Sequence, residues 1–219
     1  NIMAHYDLGN DFYKLWLDPS MSYSAAIYRE ADDGSLEAAP HAKYRRILQR
    51  LKAEPGERVL EIGCGWGGFA ELAVEQGLAV TGLTLSPAQL AWAKRRVPAA
   101  DLRLQDYRDN KEQFDHVVSI EMFEAVGERW WPSYFKTVAG ALKPGGRAVI
   151  QSITIRDDLF AAYRKGTDFI QQYVFPGGML PSRSAFRAAA ARQGLVVRNE
   201  YAFGLDYART LAEWRVAFE

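Results

Sequence analysis

Between residues 61 and 68 the chain reads Glu-Ile-Gly-Cys-Gly-Trp-Gly-Gly, an acid two places ahead of the first of four glycines. An apolar run enters this cluster and a helix-like pattern leaves it. Glycine has no Cβ, so backbone built from it can approach a ligand closely and adopt positive φ. The helix N-terminus behind the turn favours anionic or hydrogen-bond-accepting groups. Gly63, Gly65, Gly67 and Gly68 therefore read as a binding turn, against the simpler alternative of a tight turn that needs glycine only for packing.

Two ligand patterns fit the spacing. Gly63, Gly65 and Gly68 satisfy G-x-G-x-x-G, the dinucleotide form. Gly63, Gly65 and Gly67 behind Glu61 satisfy the acid-x-G-x-G-x-G form of enzymes that use S-adenosylmethionine, where a carboxylate can steady the cationic amino-acid end of that cofactor. A dinucleotide site also wants an acid at the end of the next strand for the ribose hydroxyls. That strand ends Val-Thr-Gly-Leu-Thr-Leu-Ser, with Thr84 and no acid. NAD is the weaker reading.

The elements around the turn alternate. Strands are expected near 57–62, 79–84, 101–105, 114–120 and 146–153, and helices near 67–77, 87–96 and 130–142. Apolar strands alternating with helices predict an α/β fold, a mostly parallel sheet with helices on both faces. Ahead of it, residues 1–55 read as a helical segment, with a basic helix over 35–52 that carries Tyr44, Ile47, Leu48 and Leu51 on one side. Leu-Lys-Pro-Gly-Gly at 142–146 reads as a helix stop and turn. Residues 56–155 form the expected cofactor-binding core, 156–192 an insertion over the sheet, and 194–203 one more strand, within 193–219 as a final strand and helix. The whole is read as a single domain.

Composition narrows the functions. Apolar residues are 48% of the 219, enough for a sizeable core, and Lys+Arg and Asp+Glu both total 27. Balanced charge gives no support to nucleic-acid binding. A lone cysteine, Cys64, excludes an internal disulfide framework, and three scattered histidines (His5, His41, His116) make a histidine-built metal site a poor expectation, so none is assigned. No apolar run is long enough to span a bilayer. The cytoplasm is the default location.

The segments AHYDLGNDFYKLWLDPSMSYS, VLEIGCGWGG, GLTLSPAQ, LQDYRD, FEAVG and FPGGMLPS follow one another along the chain. In series they resemble the cyclopropane-fatty-acyl-phospholipid synthases and mycolic acid cyclopropane synthases, over nearly all 219 residues. The resemblance implies a class I methyltransferase fold, Rossmann-like, with a lipid-binding cap. It implies S-adenosylmethionine as methyl donor, S-adenosylhomocysteine as product, and the double bond of an unsaturated fatty acyl phospholipid as acceptor. It also implies transient contact with the inner membrane surface, and a homodimer is compatible with it. Carried over by position, Tyr23 and Ser24 touch the methionine end of the cofactor with Gly63 and Gly65. Thr84, Leu85 and Gln89 line the ribose side, and Asp106 and Tyr107 hold the adenine. Read alone, Tyr23 is as readily a core aromatic, Gln89 a solvated helix residue after the N-cap Ser86, and Asp106 a turn former. All but Tyr23 and Ser24 fall at or after the carboxyl ends of expected strands, where open α/β sheets bind ligands.

An alkene is a poor nucleophile, so the methyl must be held close and aligned in a dry pocket. Attack leaves a carbocation that must lose a proton. In the family a bound bicarbonate removes it, held by a cysteine, a glutamate, a histidine, a tyrosine and a backbone group. Glu124 matches the glutamate and Ile153 the backbone group. Ala25 stands at the cysteine position and Gln151 at the histidine position, and the tyrosine would lie beyond Glu219. Gln151 can hydrogen-bond an anion but cannot titrate. Bicarbonate binding is therefore in doubt. The expectation is a C-methyltransferase giving a methylated or methylene-bearing chain, with Glu124 as base. Ring closure to a cyclopropane is the alternative, and a catalytically silent cofactor-binding subunit is the alternative of another class. Phe160, Tyr163, Phe169, Ile170, Tyr173, Phe175, Met179 and Leu180 are read as acyl-tunnel or core surface. Trp130 and Trp131 with Tyr134 and Phe135 read as helix packing.

Overall fold

A computed structural model describes residues 8–29 and 34–219. His5 and the start of the Ala-His-Tyr-Asp segment lie outside the described residues. The elements in chain order are α1 (Asn10–Lys14), α2 (Ala38–Leu51), β1 (Arg58–Ile62), α3 (Gly68–Glu75), β2 (Ala79–Thr84), α4 (Pro87–Arg96), β3 (Asp101–Leu104), β4 (Phe114–Ile120), α5 (Trp131–Ala141), β5 (Leu142–Gln151), α6 (Asp157–Tyr163), α7 (Arg183–Ala191) and α8 (Gly204–Phe218).

The strands form one sheet in the order β3-β2-β1-β4-β5, every pair parallel. The order reverses between β1 and β4, the switch point at which such sheets open a crevice for ligands. Side chains alternate along each strand, and here both faces are apolar. Val59, Val80 and Val118 pack with Tyr44, Ile47, Leu48 and Leu51 of α2 and Phe69, Ala70 and Ala73 of α3. Their neighbours Leu60, Ile62, Leu83 and Val117 pack on the other face with Trp131, Tyr134, Phe135 and Val138 of α5 and Ala189 and Ala190 of α7. Burying a side chain of this size stabilises by about 1.5–3 kcal/mol, so these two layers fix the strand ends.

Three local expectations change. Among the described residues, 194–203 pair with no strand, and Val196 and Tyr201 are exposed. β5 begins at Leu142, which pairs Phe114, and the Lys-Pro-Gly-Gly run makes an irregularity within the strand before Arg147 pairs His116. The turn expected there is absorbed as a bulge, with Gly145 at φ 82. Trp130 is exposed, whereas Trp131, Tyr134 and Phe135 are buried as expected.

Candidate active site

The turn after β1 separates its glycines by environment. A Cβ on Gly67 would sit 3.2 Å from Cβ of Ala93, and one on Gly68 would sit 3.0 Å from the Tyr44 hydroxyl. These two glycines let α3 pack closely. A Cβ on Gly63 would press on the Met122 side chain at 3.1 Å. At Gly65, with φ 52, an added Cβ meets nothing within 4 Å. Gly65 is the one of the four whose missing side chain leaves open space.

Glu61 shares the face of Val59 and is buried, with Oε2 closed to solvent and without a hydrogen bond among the described residues. Burial holds its pKa well above the ordinary carboxylate value, with Lys43 pulling the other way. Lys43 lies on the apolar stripe of α2, four residues before Ile47, and is buried. Its Nζ donates to Ser24 Oγ at 2.5 Å. Burial lowers the Lys43 pKa to about 8, opposed by Glu121, Asp18 and Glu61. A buried ammonium without acids around it would be too costly to keep, so these carboxylates and Lys43 hold one another.

The remaining expected cofactor residues are placed as follows. Thr84 Oγ1 and Gln89 Oε1 are 3.1 Å apart, and the Ser86 N–H donates to Thr84 Oγ1 at 3.1 Å. Gln89 is buried and not the solvated helix residue of the simpler reading. Ser86 caps α4 through the Gln89 N–H, with Pro87 in the first turn. Leu85 stays exposed. Tyr23 packs its ring against Tyr13 and Trp16, and burial raises its pKa to about 12. Asp106 caps the turn Tyr107–Asp109, and both its oxygens accept from Arg108. Tyr107 meets Tyr134 edge to face at 5.6 Å between centroids. The turn-forming reading of Asp106 is thus realised, and its carboxylate reaches a ligand only by sharing or exchanging Arg108.

The residues do fit an S-adenosylmethionine site. Gly65 leaves open space where a side chain would stand, and Glu61, four residues earlier, offers a buried carboxylate oxygen without a hydrogen bond among the described residues.

A second group lies at the carboxyl ends of β4 and β5. Glu121, at φ 47, accepts at Oε1 from the Ala25 N–H at 2.9 Å and from Gln151 Nε2 at 2.8 Å. Gln151 Nε2 also reaches the Ala25 carbonyl at 3.2 Å. Glu124 Oε1 accepts from the Ile153 N–H, while Oε2 is closed to solvent with no hydrogen bond among the described residues. Burial first, and then the charge of Glu121, raises the Glu124 pKa to about 7. The Met179 N–H donates to the Glu124 carbonyl at 2.8 Å, tying the Phe-Pro-Gly-Gly-Met-Leu-Pro segment to this turn. Phe160 and Met179 pack on the core, but Phe169 and Tyr173 are 68% and 66% exposed, so the aromatic cluster divides into core and surface.

Glu121, Lys43 and Asp18 were not singled out by type and spacing. Lys43 carried a signal, a cation on an apolar helix stripe. Glu121 carried little, because its partners lie far away in the chain.

The fold is that of the class I methyltransferases, a parallel sheet with its glycine turn and acids gathered at the strand ends. More narrowly, the chain belongs to the mycolic acid cyclopropane synthetase family, whose model matches residues 1–219. It is 41% identical over 218 residues to the cyclopropane-fatty-acyl-phospholipid synthase of Escherichia coli K12, covering 98% of this chain and 55% of that protein. It is 39% identical to the tuberculostearic acid methyltransferase UfaA1 of Mycobacterium tuberculosis, covering 100% of this chain and 54% of that one. The chain therefore spans about half the length of these relatives. Among solved structures, mycolic acid cyclopropane synthase CmaA1 complexed with S-adenosylhomocysteine superimposes with a TM-score of 0.90 at 33% identity, covering 99% of this chain and 81% of that one.

Proposed function

We propose that the full-length protein is an S-adenosylmethionine-dependent C-methyltransferase acting on the double bond of unsaturated fatty acyl chains of phospholipids, leaving a methylated or methylene-bearing chain. S-adenosylmethionine, when bound, supplies an electrophilic methyl group. Glu61 steadies its amino-acid end, with Tyr23, Ser24, Gly63 and Gly65. Thr84, Leu85 and Gln89 face the ribose, and Asp106 and Tyr107 the adenine.

The observation that carries the choice of product is the hydrogen bonding of Ala25 and Gln151. The positions that would contribute to holding bicarbonate turn their polar groups to Glu121 instead. Glu124 keeps a buried oxygen with no hydrogen bond of good geometry among the described residues and a pKa near neutrality, the properties of a general base at working pH. It takes a proton from the carbon next to the cationic centre of the acyl chain, and the released C–H electron pair becomes a new double bond. The segment 156–192 covers the acyl chain, and exposed Phe169, Ile170 and Tyr173 face the membrane surface. Among the described residues no helix is long and apolar enough to cross a bilayer.

The 41% identity to a cyclopropane-forming relative favours a second reading, in which the proton leaves the new methyl group and a ring closes. Mass spectrometry of lipids after incubation of unsaturated phospholipid vesicles with S-adenosylmethionine and full-length protein decides between them. One added CH2 with retained unsaturation supports the methylated alkene, and one added CH2 with loss of the double bond supports the ring. No added CH2 overturns both.

A further inference from the structure

Glu121 is the acid at the centre of the β4–β5 group that the resemblance leaves without a role. Its backbone sits at φ 47, a conformation that glycine takes freely and a branched or long side chain takes at a cost. Its carboxyl is also partly desolvated, which raises its pKa against the pull of Lys43 and two hydrogen bonds. A residue that is unfavourable in both backbone and side chain persists when the surroundings hold it, and such positions gather at functional sites. The surroundings here are specific. The Ala25 N–H and the Gln151 amide converge on one carboxylate oxygen, and the Glu121 N–H is itself held by the Gln151 carbonyl at 2.9 Å.

We propose that Glu121 is the built-in anion of this site. Its carboxylate fills the polar cradle formed by the Ala25 N–H and the Gln151 amide, and sets a fixed negative charge beside Glu124 in place of a dissolved anion. This rests on the methyltransferase reading. Glu121 is a positioning residue: the proton leaves an acyl C–H bond for Glu124 Oε2, the C–H electron pair stays in the lipid, and Glu121 ends the step unchanged. Its charge opposes that of the cationic acyl carbon and keeps Glu124 basic.

The test uses the full-length protein with Glu121→Gly and Glu121→Gln, in buffer free of bicarbonate and other small carboxylates. Glycine is at ease at this φ, so Glu121→Gly should melt no lower than the unsubstituted protein and bind S-adenosylhomocysteine within a few-fold. Its turnover should fall about 10- to 100-fold, as when a supporting second-layer carboxylate is lost from other sites. Formate or bicarbonate should restore most of it. Glu121→Gln, whose amide still fills the cradle, should lose turnover and gain nothing from either anion. In both variants the acid limb of the pH–kcat/KM profile should move to lower pH. The charge that lifts Glu124 is gone, while Tyr134 of α5 and Tyr207 of α8 remain beside Glu124, and Lys43 of α2, Tyr23 and Tyr207 remain beside position 121.

Formate should also raise the melting temperature of Glu121→Gly and not that of the unsubstituted protein, because only the variant has a vacated cradle. That measurement reads the cradle whether or not methyl transfer occurs. Undiminished turnover of Glu121→Gly without added anion overturns the proposal, and so does a loss that neither anion restores or an absence of formate stabilisation. Lack of methyl transfer by the unsubstituted protein counts against the methyltransferase reading instead.

Discussion

The chain leaves β1 and β4 through two turns that both need left-handed backbone, and it meets the need in opposite ways. After β1 the positive-φ positions are Gly63, Gly65 and Gly67. After β4 the position is Glu121. Where glycine stands, the turn supplies space and backbone groups, which suits holding a ligand. Where glutamate stands, the strain is accepted for the sake of a side chain, which suits holding a charge. Under the proposed function, one sheet edge carries a binding turn and a chemical turn, and Lys43 couples electrostatically to Glu61 and Glu121 across them.

The contrast is sharpest to break at Gly65. Gly65→Val puts a branched side chain at φ 52 and into the open space at this position, so binding of S-adenosylmethionine should be abolished in calorimetric titration. Affinity unchanged from the unsubstituted protein would show that the turn only shapes the backbone. At the other turn, Glu124→Gln keeps size and hydrogen bonding but removes the base. It should lower turnover by about 100- to 10,000-fold, the usual contribution of a general base, with cofactor affinity within a few-fold. A matching fall in cofactor binding would mean that the two turns do not divide the work.

Gly67 tests the division within the first turn. Its φ is 85 and an added Cβ would crowd Ala93. Gly67→Ala should therefore destabilise by at least about 1–2 kcal/mol from the backbone alone, read as a lower urea midpoint. Loss of cofactor binding without any loss of stability would place Gly67 with Gly65.

The smallest effect expected is on stability against pH. Glu124 has its folded pKa raised from 4.5 to about 7, so the folded state holds a proton that the unfolded state releases between those values. Its contribution to stability is present below about pH 4.5 and is lost as pH rises toward 7. Relative to the unsubstituted protein, Glu124→Gln should gain melting temperature as pH rises across that window. A constant difference across the window would mean that Glu124 titrates normally.

Much of the sheet was legible because its strands bury both faces, which leaves continuous apolar runs between helical patterns. The starts and ends of β1, β2, β3 and β4 fall within a residue of the expectation. The strand expected over 194–203 failed because an apolar pattern needs a partner edge and a face to pack on, and β propensity reflects packing more than backbone preference. The glycine turn was legible as a whole but not by residue, since only the packing of Ala93 and Tyr44 separates Gly67 and Gly68 from Gly65. Glu124 was a candidate through resemblance alone. Glu121, three residues earlier, was not, because its role depends on backbone angle and on contacts 96 positions away at Ala25 and 30 away at Gln151. Lys43 was visible as a charge in a basic helix, and its burial becomes apparent only when the stripe through Ile47 is extended back one turn.

Trp66 lies between Gly65 and Gly67 and is buried, with its indole N–H donating to Asn10 Oδ1 at 2.7 Å. Asn10 in turn reaches the Ala88 carbonyl at 3.3 Å, so α1 bridges the turn after β1 to the start of α4. Tyr13 stands 5.0 Å from Trp66 and 5.4 Å from Tyr23, and Trp16 stands 5.5 Å from Trp214, all between ring centroids. Rings this close exchange excitation energy, so light absorbed anywhere along the row is emitted from a few indoles. One of them sits inside the binding turn. Under the proposed function, a ligand that settles on Gly65 is expected to shift the emission of Trp66, its neighbour in the chain. Filling of the turn would then be readable from the protein's own fluorescence, without a label.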